Sequence, residues 1–182
     1  KIDKIYWVVL TTVGAVGLIV IETLLGDAMK LSKNFSLSEL TKSQTATRKG
    51  ISNEPSTEHV ENLIHLAESV LQPVRDHFGK PVMISSGYRS PELCEAIGSS
   101  SKSQHAKGEA ADFEIPGVDN MQLAMWINKN TDFDQLILEF YEPGNPNSGW
   151  VHCSAVKEES RAQVLKASKV EGKTKYENIL LI

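Results

Sequence analysis

Between Ile5 and Ile21 the chain carries no charged side chain (IYWVVLTTVGAVGLIVI), and Leu24, Leu25 and Gly26 prolong the apolar stretch beyond Glu22. As a helix, such a run of 17 residues reaches about 25 Å, and extended to 22 it would cross a hydrocarbon core of about 30 Å. Lys1 and Lys4 precede it, as in the basic start of a signal peptide or signal anchor, and Gly26-Asp27-Ala28 has the small-x-small pattern of a processing site. A buried core helix would have to be apolar on every face, which a domain of this size rarely accommodates. Residues 1–28 are therefore expected to form a membrane-directed hydrophobic helix. It would be a retained anchor, a cleaved signal, or sequence upstream of a start at Met29. Residues 29–182 are expected to form one domain with a short C-terminal tail.

The 182 residues include 19 Lys and Arg against 23 Asp and Glu, a net charge of −4, and 7% aromatics. That balance excludes the basic excess of a nucleic-acid binder, and so few aromatics exclude a stacking platform for single strands. Two cysteines, Cys94 and Cys153, cannot build a disulfide framework or a four-thiolate zinc site.

The clearest element beyond Met29 is helical. Val60, Leu63, Ile64, Ala67, Val70, Leu71 and Val74 recur at three- and four-residue spacing between Pro55-Ser56 and Gly79. His65 falls off this stripe and reads as solvent-facing. Ser36-Leu37-Ser38-Glu39 has the spacing of a capping box. Strands are expected at 81–86, 110–115, 135–140 and 150–155, with helices at 90–97 and 121–128. After Arg161 the pattern suggests a short helix, then Gly172 and a strand-like piece near Tyr176. Helices and strands are mixed without regular alternation, which predicts an α+β fold with a small, mainly antiparallel sheet flanked by helices.

Three stretches carry chemistry. In Ser103-Gln-His105-Ala-Lys-Gly108-Glu-Ala110-Ala-Asp112, the histidine and the acid lie seven apart and cannot share a helix face. Gly108 supplies a turn, and Asp112 projects from the strand that follows. In Trp150-Val151-His152 a second imidazole projects from another strand. Two neutral imidazoles and one carboxylate form a three-ligand zinc set with one open position, suited to activating water and polarising a carbonyl. The third stretch, Ser86-Gly87-Tyr88-Arg89-Ser90, delivers an arginine from a strand end, able to hold a carboxylate or a developing oxyanion.

Taken together, the string SxHxxGxAxD (Ser103, His105, Gly108, Ala110, Asp112), preceded by GYRS and followed by WVH, resembles the zinc D-Ala-D-Ala carboxypeptidase family. That family includes vancomycin-resistance D,D-dipeptidases and phage L-alanyl-D-glutamate endolysins and shares its fold with the hedgehog signalling domain. The resemblance runs over roughly residues 34–177, from FSLSEL to GKTKY. It implies that His105, Asp112 and His152 bind one zinc ion, that Arg89 steadies the substrate carbonyl or the tetrahedral intermediate, and that Ser103 supports the metal shell or the substrate. Ser86 is a further candidate for lining the site.

Many relatives carry a catalytic glutamate three residues before the last zinc histidine, where this chain has Gly149. A general base is still required. Glu139, on the strand expected beside that of His152, is the leading candidate for it, ahead of Glu142 and Glu114; Glu114 shares the parity of Asp112 and could instead orient a ligand. Strand alternation turns Cys153 away from the site as a core thiol, and nothing near Cys94 suggests an activated nucleophile.

The expected function is hydrolysis of a peptide bond in the peptidoglycan stem peptide by a monomeric zinc metallopeptidase, either as carboxypeptidase or as endopeptidase. A membrane-associated or exported location, in the periplasm or cell wall, suits that substrate. Wall remodelling and phage lysis both fit. A non-catalytic zinc-containing peptidoglycan-binding module and a membrane-anchored virion or structural protein are the alternatives from other classes.

Overall fold

The computed structural model describes residues 29–146 and 148–181. The apolar run expected to reach a membrane lies outside the described residues, among which no helix is long and apolar enough to cross one.

Two short helices, α1 (Leu37–Thr41) and α2 (Gln44–Lys49), lead into a long one, α3. The capping box at Ser36 and Glu39 starts α1, as its spacing predicts. Ser56 caps α3 by accepting from the His59 backbone N–H. The helix α3 runs as Thr57–Leu66, a π turn Ala67–Leu71, and Gln72–Phe78. Pro73 explains the π turn: proline has no N–H to donate and its ring crowds the carbonyl four residues back. Widening the helix there lets Gln72 N–H bond the Ala67 carbonyl and the helix continue.

Strand β1 (Met83–Ser86) and helix α4 (Pro91–Ala96) follow, then a 3₁₀ turn (Gln104–Lys107), β2 (Ala110–Glu114) and α5 (Asn120–Asn130). The chain ends with β3 (Gln135–Glu139), β4 (Trp150–Ser154), β5 (Gln163–Val170) and β6 (Lys173–Asn178). The six strands form one mixed sheet in the order β1-β2-β4-β3-β5-β6, parallel between β3 and β5 and antiparallel at every other pairing. The α+β class is therefore as expected.

The short helix expected after Arg161 is a strand instead. Lysine, alanine and serine in QVLKASKV are compatible with a helix locally, but Leu165 and Ala167 fall on one face beside Ile137, and parallel pairing to β3 overrides the local preference. Glu171-Gly172, with φ of 50° and 78°, then makes the two-residue turn that returns β6.

Alternation gives the sheet two different faces. Ala111, Phe113, Leu136, Leu138, Val151 and Cys153 point to one side, where Leu63, Leu66, Val70 and Leu71 of α3 and Leu123 and Ile127 of α5 cover them. Cys153 is a buried thiol of this core, and it and Cys94 are both free. The other face carries Asp112, His152, Ile137, Leu165 and Glu139 and is left open as a cleft. His65 is half-buried rather than solvent-facing; its Nε2 lies 2.9 Å from the Val156 carbonyl, tying α3 to the loop after β4. Leu66 is fully buried, so Leu66→Ala should cost about 2–5 kcal/mol of stability in urea unfolding.

Candidate metal centre

The centre lies on one row of the open face, where Ser86, Asp112, His152, Ile137 and Leu165 stand in register across five strands. His105 arrives from the 3₁₀ turn instead. Ser103 caps that turn by accepting from the His105 N–H at 3.4 Å, and Gly108 closes it at φ +75°. A side chain on Gly108 would meet the His59 carbonyl, so the turn packs directly on α3.

The His105 ring is fixed from behind. Its Nδ1–H donates to the Gly87 carbonyl at 2.7 Å, and burial pushes its pKa below the usual histidine range, leaving a neutral ring with a bare lone pair on Nε2. Gly87 itself lies against the backbone of Leu40, with no room for a Cβ. The Tyr88 N–H donates to the Leu40 carbonyl at 2.6 Å, and the Arg89 N–H donates to the His105 carbonyl at 3.1 Å. Asn53 clamps the same loop, donating to Tyr88 O and accepting from the Ser90 N–H.

The lone pair of His105 Nε2 points at Asp112 Oδ1, 3.3 Å away, and at His152 Nδ1, 3.2 Å away; His152 Nδ1 is 2.8 Å from the same carboxylate oxygen. The His152 Nδ1 can carry at most one proton, which serves only one of these two neighbours. Three buried electron-pair donors thus converge with too few protons between them, and a cation satisfies all three at once. Donors on a tetrahedral zinc with bonds of about 2 Å stand about 3.3 Å apart, close to these separations. The residues present therefore fit a zinc ion.

The cleft around this set is about 700 Å³. Arg89 borders it, with Nη1 3.8 Å from Asp112 Oδ2 and a buried Nε that has no protein partner among the described residues. Ser103 also lines it. Glu139 stands opposite Trp150, two residues along the strand from the His152 row. It is half-buried, and burial followed by the Asp112 charge raises its pKa.

Gly149 has φ +64°, and a Cβ there would run into the Glu139 backbone carbonyl. A glutamate cannot occupy that position in this backbone, whereas Glu139 already brings a carboxylate to the cleft. Glu114 and Glu142 are exposed and do not line it. Ser86 pairs with Asp112 but borders a neighbouring groove of about 570 Å³ along β1 instead of this cleft.

Several cleft residues were not singled out from the sequence: Gln104, Gln135, Arg161, Gln163 and Tyr176. Gln163 reaches the cleft because β5 pairs with β3 beside Gln135, which the helix expected after Arg161 does not offer; Tyr176, on the strand-like piece expected there, is brought to the cleft only by the pairing of β6 with β5.

Three outcomes follow from this geometry. Asp112→Asn replaces the shared charged oxygen with an amide and should abolish stoichiometric zinc binding, measured by metal analysis after dialysis. Gly149→Ala should lose at least the roughly 1–2 kcal/mol of a left-handed non-glycine residue, read from unfolding curves. The third concerns Asp134, whose carboxyl is held down to about 2 mainly by hydrogen bonds from Arg161. Its folded pKa lies below the unfolded value of about 3.9. Its contribution to stability should therefore be complete above about pH 4 and disappear as the pH falls through about 2. Urea midpoints measured across that window check it.

The family model for Peptidase M15 matches residues 33–154, more than half of the chain, and spans β1 to β4 with every residue of the His105, Asp112 and His152 set. A comparison with curated proteins finds no match. Peptidases of this family are zinc-dependent metallopeptidases, in keeping with the donor set. The chain belongs to the Peptidase M15 family, that of the zinc D-Ala-D-Ala carboxypeptidases.

Proposed function

We propose that the chain hydrolyses a peptide bond in the peptidoglycan stem peptide, as a zinc metallopeptidase acting outside the membrane. The observation that carries this reading is the convergence of His105 Nε2, Asp112 Oδ1 and His152 Nδ1 on one point in an open cleft.

Zinc held by these three atoms supplies a Lewis acid and makes water acidic enough to lose a proton near neutral pH. The remaining work falls to side chains. Glu139 takes the proton of the attacking water and returns it to the leaving amine, and its raised pKa suits both transfers. Arg89, held beside Asp112 by the clamped loop, steadies the carbonyl oxygen as negative charge develops on it. Ile137 and Leu165 give an apolar floor against which the peptide lies, and Trp150 bounds it beside Glu139. Ser103 supports the centre by holding the turn that carries His105.

Gly149, where many relatives carry a glutamate, would favour a non-catalytic binding module, and Glu139 answers it by bringing a carboxylate to the cleft from the neighbouring strand. One chain supplies every group named, which accords with a monomer. The apolar run at 5–21 accords with delivery to the wall as an anchor or a signal, in wall remodelling or in lysis.

The test is the appearance of new amine termini on purified peptidoglycan. Wild-type protein should release them, a chelator should stop the release, and added zinc should restore it. Glu139→Gln should keep its zinc and lose about 10²–10⁴-fold in turnover. A zinc-loaded wild-type protein that releases no amine would contradict the proposal.

A further inference from the structure

Asp134, just before β3, is 2% exposed and heavily bonded. Its carboxylate accepts from Arg161 Nε at 2.9 and 3.1 Å, from Arg161 Nη2, from the Arg161 backbone N–H at 3.0 Å and from Gln104 Nε2 at 2.9 Å. Its carbonyl takes the Gln163 N–H at 3.0 Å. Between Arg161 and Gln163, Ala162 is bent to φ +48°, a left-handed conformation that a side chain resists. Backbone of this kind persists where its surroundings over-determine it, and it clusters at functional sites.

The bend fixes one group in place. The Arg161 guanidinium is held through Nε and Nη2, with Nη2 also 3.2 Å from Gln104 Oε1. Nη1 has no protein partner among the described residues, and the side chain is 53% exposed on the lining of the metal cleft. Gln163 lies beside it, bonded to Gln135. The guanidinium therefore reaches the lining of the cleft with one nitrogen uncommitted to the protein. A planar fork already immobilised by two of its nitrogens loses little freedom when the third binds a carboxylate.

Position sets what this edge can read. Gln135 and Gln163 form a row two residues along the strands from the His152 and Ile137 row, about 7 Å away. Two residues of an extended peptide cover about the same distance. Glu139 lies two residues the other way, so an anion on the substrate is attracted at one end of the cleft and repelled at the other. Arg161, Gln163 and Tyr176 also lie beyond the span matched by the family model.

Resting on the function proposed above, we propose that Arg161, oriented by Asp134 and Gln104 and flanked by Gln163, forms a carboxylate-recognising subsite. It selects peptides that carry a free carboxylate about two residues from the bond that is cut.

The experiment is titration calorimetry on the zinc-loaded Glu139→Gln chain with synthetic stem peptides whose free carboxylates are replaced, one at a time, by carboxamides. One replacement should weaken binding about tenfold or more. In Arg161→Gln combined with Asp134→Asn, which removes both charges and strands neither, the same replacement should no longer matter. Equal penalties with and without Arg161, or no replacement that weakens binding, would overturn the subsite. A network with a merely structural role would lower the melting temperature and leave the carboxylate-to-carboxamide ratio unmoved. If even the peptide with all its carboxylates free fails to bind, the stem-peptide reading fails, and this inference with it.

Discussion

Three metal-donor atoms aimed at one point have too few protons to satisfy one another, so the centre depends on whatever holds them together. For His105 that restraint is the bond from its Nδ1–H to the Gly87 carbonyl. It orients the ring and, by occupying the only proton of a neutral imidazole, leaves Nε2 bare. Gly87 is in turn seated on the Leu40 backbone, and Asn53 holds the loop that follows. The small N-terminal helices, which bear no ligand, thus determine where the first histidine points. Asp112 and His152 are set differently, by strand register alone, as paired neighbours on β2 and β4.

The same register divides the sheet by function. One face is closed by α3 and α5 and supplies the rigidity. The other carries three parallel bands: a polar band at Gln135 and Gln163, the metal-ligand band at His152 and Ile137, and an acidic and aromatic band at Glu139 and Trp150. Ala167 is small and fully buried, and it separates Glu139 from Tyr176 in the last band. A peptide laid across these bands meets different chemistry at each end, which gives the cleft a direction.

Much of this was legible in the residues themselves. The three-and-four spacing from Val60 to Val74 marks α3 because burying one helical stripe demands that periodicity. The ligand trio was legible through the SxHxxGxAxD string and the WVH stretch, which resemble a known zinc family; spacing alone said only that a turn at Gly108 must bring His105 and Asp112 together. Glu139 was legible as a carboxylate on the strand expected beside that of His152. What stayed hidden depends on contacts distant in sequence. The string QVLKASKV becomes a strand only because β3 offers it a parallel edge. The pairing of Asp134 with Arg161 spans 27 residues and has no periodic signature. Gly149 looked like a missing catalytic acid, and its real constraint, the carbonyl of Glu139 pressed against it, exists only in three dimensions. The role of Gly87 is of the same kind.

The most direct measurement is anomalous scattering at the zinc edge from crystals grown with one equivalent of the metal. The account predicts one peak within bonding distance of His105 Nε2, Asp112 Oδ1 and His152 Nδ1 together. A peak elsewhere on the chain, or fully occupied zinc that leaves any of those three atoms unbonded, would contradict it.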